Sequence, residues 1–320
     1  KKDKKKKDKE GGASSGTAAA SGKADTPPPP APTEAPKPPL TKEQVAAFLK
    51  DESQKLSADA FESLLLGVAD CRVESSGVDY KCTGRKEFSD GLKHKYEDFN
   101  MPGTVAIKHL RHPSAAVRYE AAVHASLRAF GYDAPAESGA KYLEAAKAET
   151  DAVVLARFIS GMYSGAKKNA EVRDFIMKNV DHKENRVREE CLRLMGEPET
   201  AKLMSGAFDK ILEKTNSDPD DHVRSVACSA LSATEDAKAI PVFQKIIEDS
   251  STKDEIRQGC FEGLVETWTG YPYPKSPNKD GYELTMKVLE GKTRSKEMPP
   301  WRGMSKLGYA KTEYKDYDKS

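Results

Sequence analysis

A Val-Arg step recurs along this chain at nearly constant distance: Val117-Arg118, Val187-Arg188, Val223-Arg224 and, with a conservative replacement, Ile256-Arg257. Val154-Leu155 falls between the first two and has lost the arginine, so the successive intervals are 37, 33, 36 and 33 residues. Each interval is the length of one helical hairpin, which constrains the chain to a row of similar two-helix units. Position +4 after each Val or Ile is Ala121, Phe158, Cys191, Ala227 or Cys260, and position +8 is Ala125, Met162, Met195, Leu231 or Leu264. Steps of four and eight share one stripe of a helix, and neighbouring units are expected to bury that stripe.

Each unit reads as a helix A, a tight turn and a helix B that carries the Val-Arg step. Pro113 and Pro219 stand four residues before their Val, where a missing N–H costs a starting helix nothing. Helix A candidates are Ala140 to Ala148, Ala170 to Val180, Ala201 to Lys214 and Ala237 to Glu248. Ahead of the array, Thr41 with Gln44 resembles a capping box, and Ser57 to Val68 places Phe61, Leu64, Leu65 and Val68 on one face. Lys86 to Phe99 is a charged helix candidate, and Thr104 to Leu110 opens the first clear repeat. Tyr282 to Leu289 is expected to cap the far end. The division is then a tail at 1–40, a helical cap at 41–100, the repeat array at 101–268, and an aromatic and Pro-rich cap with a polar tail at 269–320.

The recurring run of Asp or His, Pro, Val-Arg, a small Ala or Cys, and Ala-Leu resembles the HEAT repeat, especially its bacterial form known from phycobilisome lyases, over about Met101 to Trp268. That resemblance implies an all-α, right-handed α-solenoid with the B helices lining a concave surface. It also implies a structural ladder of stacked polar contacts along the array, formed by an Asp before the Pro and an Arg after the Val, with Arg118, Arg188, Arg224 and Arg257 in the Arg role. Only Asp218 fits the acid position by type, because the matching places are His112, Glu149, His182 and Ser251. Enzymes on related repeats look different. The HEAT-like di-iron hydroxylases use His-Glu steps, which this sequence lacks, and the DNA glycosylases need a basic face.

Charge is unevenly divided. Residues 1–40 hold nine Lys against five acids and residues 292–320 hold eight basic against four acidic residues, so a chain of net charge +1 carries −7 over residues 41–291. An acidic body makes a poor nucleic-acid surface, since nonspecific affinity comes from neutralising phosphates. No run approaches 18 apolar residues, so no membrane span is expected. Residues 1–40 pass from a Lys-rich block through Gly, Ala and Ser to a Pro-rich stretch, a composition expected to stay disordered and to act as a spacer. Beginning at Lys1, this segment resembles the tether of a bacterial lipoprotein without its signal peptide, with a lipid anchor upstream of Lys1 and a location in the cell envelope, periplasmic or tethered at the outer membrane. A cytoplasmic tail is the other reading.

Cys71 and Cys82 bracket a polar segment containing Gly77 and would pair in an oxidising compartment, whereas Cys191, Cys228 and Cys260 fall four or five residues after the repeat Val or Ile, on the helical face expected to be buried, and read as small core residues. His109 and His112 have ligand spacing but straddle a helix end at Pro113, with no acid or third ligand evident nearby, so a capping or surface role is expected and no metal. No phosphate loop, G-x-S-x-G or placed Cys/His pair suggests catalysis, and no cofactor is implied. Trp268, Tyr271 and Tyr273, with Trp301 further on, interleave with Pro as binding loops often do, but the need to cover the open end of the last hairpin favours Trp268, Tyr271 and Tyr273 as a cap. The expectation is a non-enzymatic scaffold whose concave face binds a partner protein or peptide, with a basic segment suiting the acidic body. An enzyme or accessory lyase working in the concavity and a structural envelope protein are the alternatives.

Overall fold

A computed structural model describes residues 37–234, 237–269 and 278–292, and these are mostly helical, with sixteen α-helices and one short two-stranded hairpin. The leading segment holds α1 (Lys42–Lys50), α2 (Ala58–Leu66), a hairpin of β1 (Val73–Glu74) with β2 (Gly77–Val78), and α3 (Thr83–Gly91). Thr41 caps α1 in a reciprocal box with Gln44, and the Ser57 hydroxyl accepts from the Ala60 N–H at the start of α2. Leu40, placed by the sequence in the tail, instead donates its N–H to Ser63 Oγ at 2.8 Å. Residues 1–36, which carry the expected spacer, lie outside the described residues.

The charged stretch up to Phe99 is helical only through α3. Leu56 donates to Lys95 O at 2.8 Å and accepts from Glu97 N at 3.2 Å, so the backbone after Gly91 finds its partners in a neighbouring loop rather than in a helical turn. The next elements are α4 (Met101–Ala106), continued by a 3-10 turn through His109, then α5 (Ala115–Phe130), α6 (Ala136–Lys147), α7 (Ala152–Gly161), α8 (Tyr163–Lys168), α9 (Ala170–Asn179) and α10 (Asn185–Met195). After them come α11 (Pro198–Ala201), α12 (Ala207–Ser217), α13 (Asp221–Ala230), α14 (Ala239–Glu248), α15 (Asp254–Thr269) and α16 (Lys279–Lys292). The expected helix from Ala201 to Lys214 is divided because Gly206 takes φ 77°, a left-handed conformation that a helix cannot pass through. Pro113 and Pro219 sit one residue ahead of the capping residues Ser114 and Asp220 rather than inside the first turn.

The helices bearing the Val-Arg step are α5, α7, α10, α13 and α15, and each packs on the next in that order. Their partners α4, α6, α9, α12 and α14 pack against them from the other hairpin arm. All fifteen residues at the Val, +4 and +8 positions are buried to 1% exposure or less. Burial of a Val, Leu or Phe side chain contributes about 1.5–3 kcal/mol, so this stripe adds to the cohesion along the row.

Candidate functional site

Two sets of polar residues follow from the same repeat register. At position +1, beside the core stripe, the arginines reach across to the following turn. Arg118 donates Nε and Nη2 to Glu149 at 2.7 and 3.0 Å and its Nη1 to the carbonyls of His112 and Pro113. Arg188 repeats this arrangement with Asp218 at 2.8 and 2.7 Å and with the carbonyls of His182 and Lys183. Glu149 therefore fills an acid position that residue type had left out. In the last two units the pattern changes. Arg224 donates to Thr215 O, and Arg257 to Ile247 O and its own helix's Asp254. Ser251 holds no carboxylate, and the turn is capped by Asp249, which accepts from the Ser251 N–H at 2.8 Å.

Positions +2, +3, +6 and +10 form a second face of the same helices. On α5 it carries Tyr119 and Glu120, on α7 Arg157, on α10 Glu189, Glu190 and Arg193 with Glu197 beyond its end, and on α15 Glu262 and Glu266. Glu262, Glu266, Glu197 and Arg193 line a groove of about 320 Å³ whose floor includes Ser225 and Ser229 of α13. Burial raises the Glu190 carboxyl above its ordinary range, with Arg193 opposing. The groove is thus a place where carboxylates outnumber cations, suited chemically to ammonium or guanidinium groups.

The disulfide loop meets this face at its amino end. Cys71 and Cys82 are bonded, and the hairpin between them brings Gly77, at φ 117°, over Tyr119, where a Cβ would fall 2.7 Å from the phenol oxygen. Arg85 of α3 pairs with Glu120 at 2.7 Å, and burial raises the Glu120 carboxyl although Arg85 and Arg157 pull it down. The Arg157 guanidinium lies 5.8 Å from the centre of the Tyr119 ring. His124, edge-on to Phe61 and Phe88, is pushed down to about 4 by burial, with Arg85 and Arg157 adding to the effect, so its ring is neutral near pH 7.

His109 and His112 are both buried, and the acid the sequence did not offer them comes from α2: Glu62 Oε1 stands 2.7 Å from His109 Nε2. His112 Nδ1 accepts from the Ser114 N–H at the start of α5. Among the described residues no three His, Cys, Asp or Glu side chains gather as a metal site. Trp268 is 1% exposed and donates Nε1 to Thr285 Oγ1 of α16 at 2.9 Å, which makes it part of the packing under the last helix rather than an offered contact. Tyr271, Tyr273 and Trp301 lie outside the described residues.

Cys228 and Cys260 are core residues, as their place on the buried helical face implies, but they are also bonded to each other, which corrects the reading of both as plain packing. The neighbouring signal was Gly259 and Gly263: a Cβ at either would run into backbone oxygens of α13, at Ser225 and at Cys228, so α15 comes close enough for the two sulfurs to meet. Cys191 remains a buried thiol, and burial pushes it well above the usual thiol range.

No helix among the described residues is long and apolar enough to cross a membrane. Compared with known families and with curated proteins, the chain matches no family model and no curated sequence.

Proposed function

We propose that this chain is a HEAT-like α-solenoid acting as a non-catalytic scaffold, and that its B-helix face docks a Lys- or Arg-rich segment of a partner protein. The succession of α5, α7, α10, α13 and α15, each packed on the next, supports the solenoid. The observation that carries the binding reading is the groove lined by Glu197 at the end of α10 and by Glu262 and Glu266 of α15, with Ser225 and Ser229 of α13 between them. An extended basic peptide laid across this groove would meet Glu197 from one helix and Glu262 and Glu266 from another, and repeat proteins bind extended segments along such surfaces. The cell envelope suits the reading, because the bonds Cys71–Cys82 and Cys228–Cys260 persist in oxidising compartments and rarely in a reducing cytosol.

The test is fluorescence anisotropy with a labelled Lys/Arg-rich peptide and an acidic peptide of equal length, at two salt concentrations. The basic peptide should bind, weaken as salt rises, and lose at least about tenfold in affinity when Glu262→Lys and Glu266→Lys are combined, about 1.4 kcal/mol or more. Equal binding of both peptides, or a charge-reversed protein that binds as before with its helical content intact, would sink the proposal.

A further inference from the structure

The second unit carries Leu155 where its neighbours carry a ladder arginine, and an open pocket lies beside it. Arg118 and Arg188 each span from their own turn carbonyls to an acid on the next turn, and Leu155 occupies the corresponding position between them. Where that rung would run there is a pocket of about 490 Å³, lined by Leu155 itself, by Phe175, and by the residues at both acid positions, Glu149 and His182. Space of this size exceeds what one arginine side chain fills.

The surroundings retain the features that hold a guanidinium in the neighbouring rungs. In those rungs the arginine Nη1 takes the two carbonyls five and six residues before it. The equivalent carbonyls here belong to Glu149 and Thr150, and among the described residues no hydrogen bond to either is formed. His182 stands where Asp218 stands one unit later, and its Nδ1 is already committed to the Glu184 N–H at 3.1 Å. It therefore offers no acceptor, but Asp174 of α9 lines the same pocket as a carboxylate, with Lys178 one turn further along α9 as a cation in that wall. Glu171, also in the wall, is paired with Lys147. Leu155 and Phe175 provide an apolar wall against which an alkyl stem or the flat face of a guanidinium can rest.

We propose that this pocket binds an alkylguanidinium group, the side chain of an arginine supplied from outside, which takes the place of the missing rung by donating to the Glu149 carbonyl and to Asp174. An ammonium is a poorer fit, because it is a compact point charge that cannot bridge a carbonyl and a carboxylate as a planar fork does. The pocket is separate from the acidic groove, and none of its lining residues lies on that face.

Isothermal titration of the full chain with N-acetyl-arginine amide, N-acetyl-lysine amide and free arginine tests the proposal. The arginine amide should bind at least tenfold more tightly than the lysine amide. Binding of the amide but not of free arginine identifies an arginine within a partner chain, and equal binding of both identifies a small guanidinium compound. Two variants separate site from fold. Leu155→Arg should occupy the rung from within and abolish binding, and Asp174→Lys, at an exposed position, should abolish binding while leaving the melting temperature unchanged. No heat with the arginine amide at millimolar concentration, no preference over lysine, or undiminished binding by Asp174→Lys would each overturn the assignment.

Discussion

Arg188 and Asp218, 30 residues apart in the chain, meet as a bidentate pair in which the arginine side chain is 7% exposed and the carboxylate 0%. The Asp218 carboxylate also accepts from the Asp220 N–H at 3.0 Å, so a single side chain ties one hairpin to the turn of the next. Removing it leaves a buried guanidinium uncompensated, which costs about 3 kcal/mol or more. Asp218→Ala should lower stability by that amount in urea denaturation. Arg224→Ala, which removes a 28% exposed guanidinium held by one carbonyl and a distant Asp221, should cost about 1 kcal/mol. Equal losses for the two variants would mean that the bidentate pair is not a distinctive source of cohesion.

His124 gives the fold a dependence on pH. Burial holds the folded imidazole near 4 against an ordinary value of 6.5, so between those values the unfolded chain takes up a proton that the folded chain refuses. Stability contributed by this group is full above pH 6.5, falls as the pH drops, and levels off near 4, for a loss of up to about 3 kcal/mol. His112, also lowered by burial, acts in the same direction, whereas Glu120 and Glu190, raised by burial, favour the folded state on acidification. The difference between wild type and His124→Phe isolates the histidine. The phenyl ring keeps the contacts with Phe61 and Phe88, and the variant should lose the part of the pH slope between 6.5 and 4. Parallel stability curves for the two proteins would refute the assignment.

What was legible in the sequence was what depends on period. The Val, +4 and +8 stripe named fifteen buried side chains because a helical face is fixed by spacing alone. The capping box at Thr41 was legible for a similar reason, since its partners lie three residues apart. Contacts set by distance across the array were not. Glu149 was passed over as a ladder acid because its type departs from Asp, although its extra methylene still reaches Arg118. Glu62 beside His109 is 47 residues away and carries no spacing signal. The groove of Glu197, Glu262 and Glu266 appears only when three units are stacked, and in sequence its members are ordinary charged residues. Gly259 and Gly263 stand at i and i+4, a pattern of close helix approach that could have drawn attention to Cys260 and its neighbour Cys228.

The two disulfides predict a thiol count that no arrangement of free cysteines reproduces. Alkylation of the native chain should modify no cysteine, because Cys191 is buried; unfolding without reductant should expose Cys191 alone, and unfolding with reductant should expose all five. Their energetic weights should differ as well. In the chain-entropy account a crosslink stabilises by restricting the unfolded state, with a term that grows with the logarithm of the loop it closes. Cys228–Cys260 spans 32 residues and Cys71–Cys82 spans 11, so each is worth about 3 kcal/mol and the longer loop about 1 kcal/mol more. The double variants Cys228→Ser with Cys260→Ser and Cys71→Ser with Cys82→Ser, compared by urea denaturation, measure both terms. The first also places two hydroxyls in a buried seam, so a Cys228→Ala with Cys260→Ala variant separates crosslink loss from polar burial. If the Ala pair costs less than the Cys71 and Cys82 pair, loop closure is not the larger part of what the inter-helix bond contributes. The weight of that seam would then rest on the packing of α15 against α13.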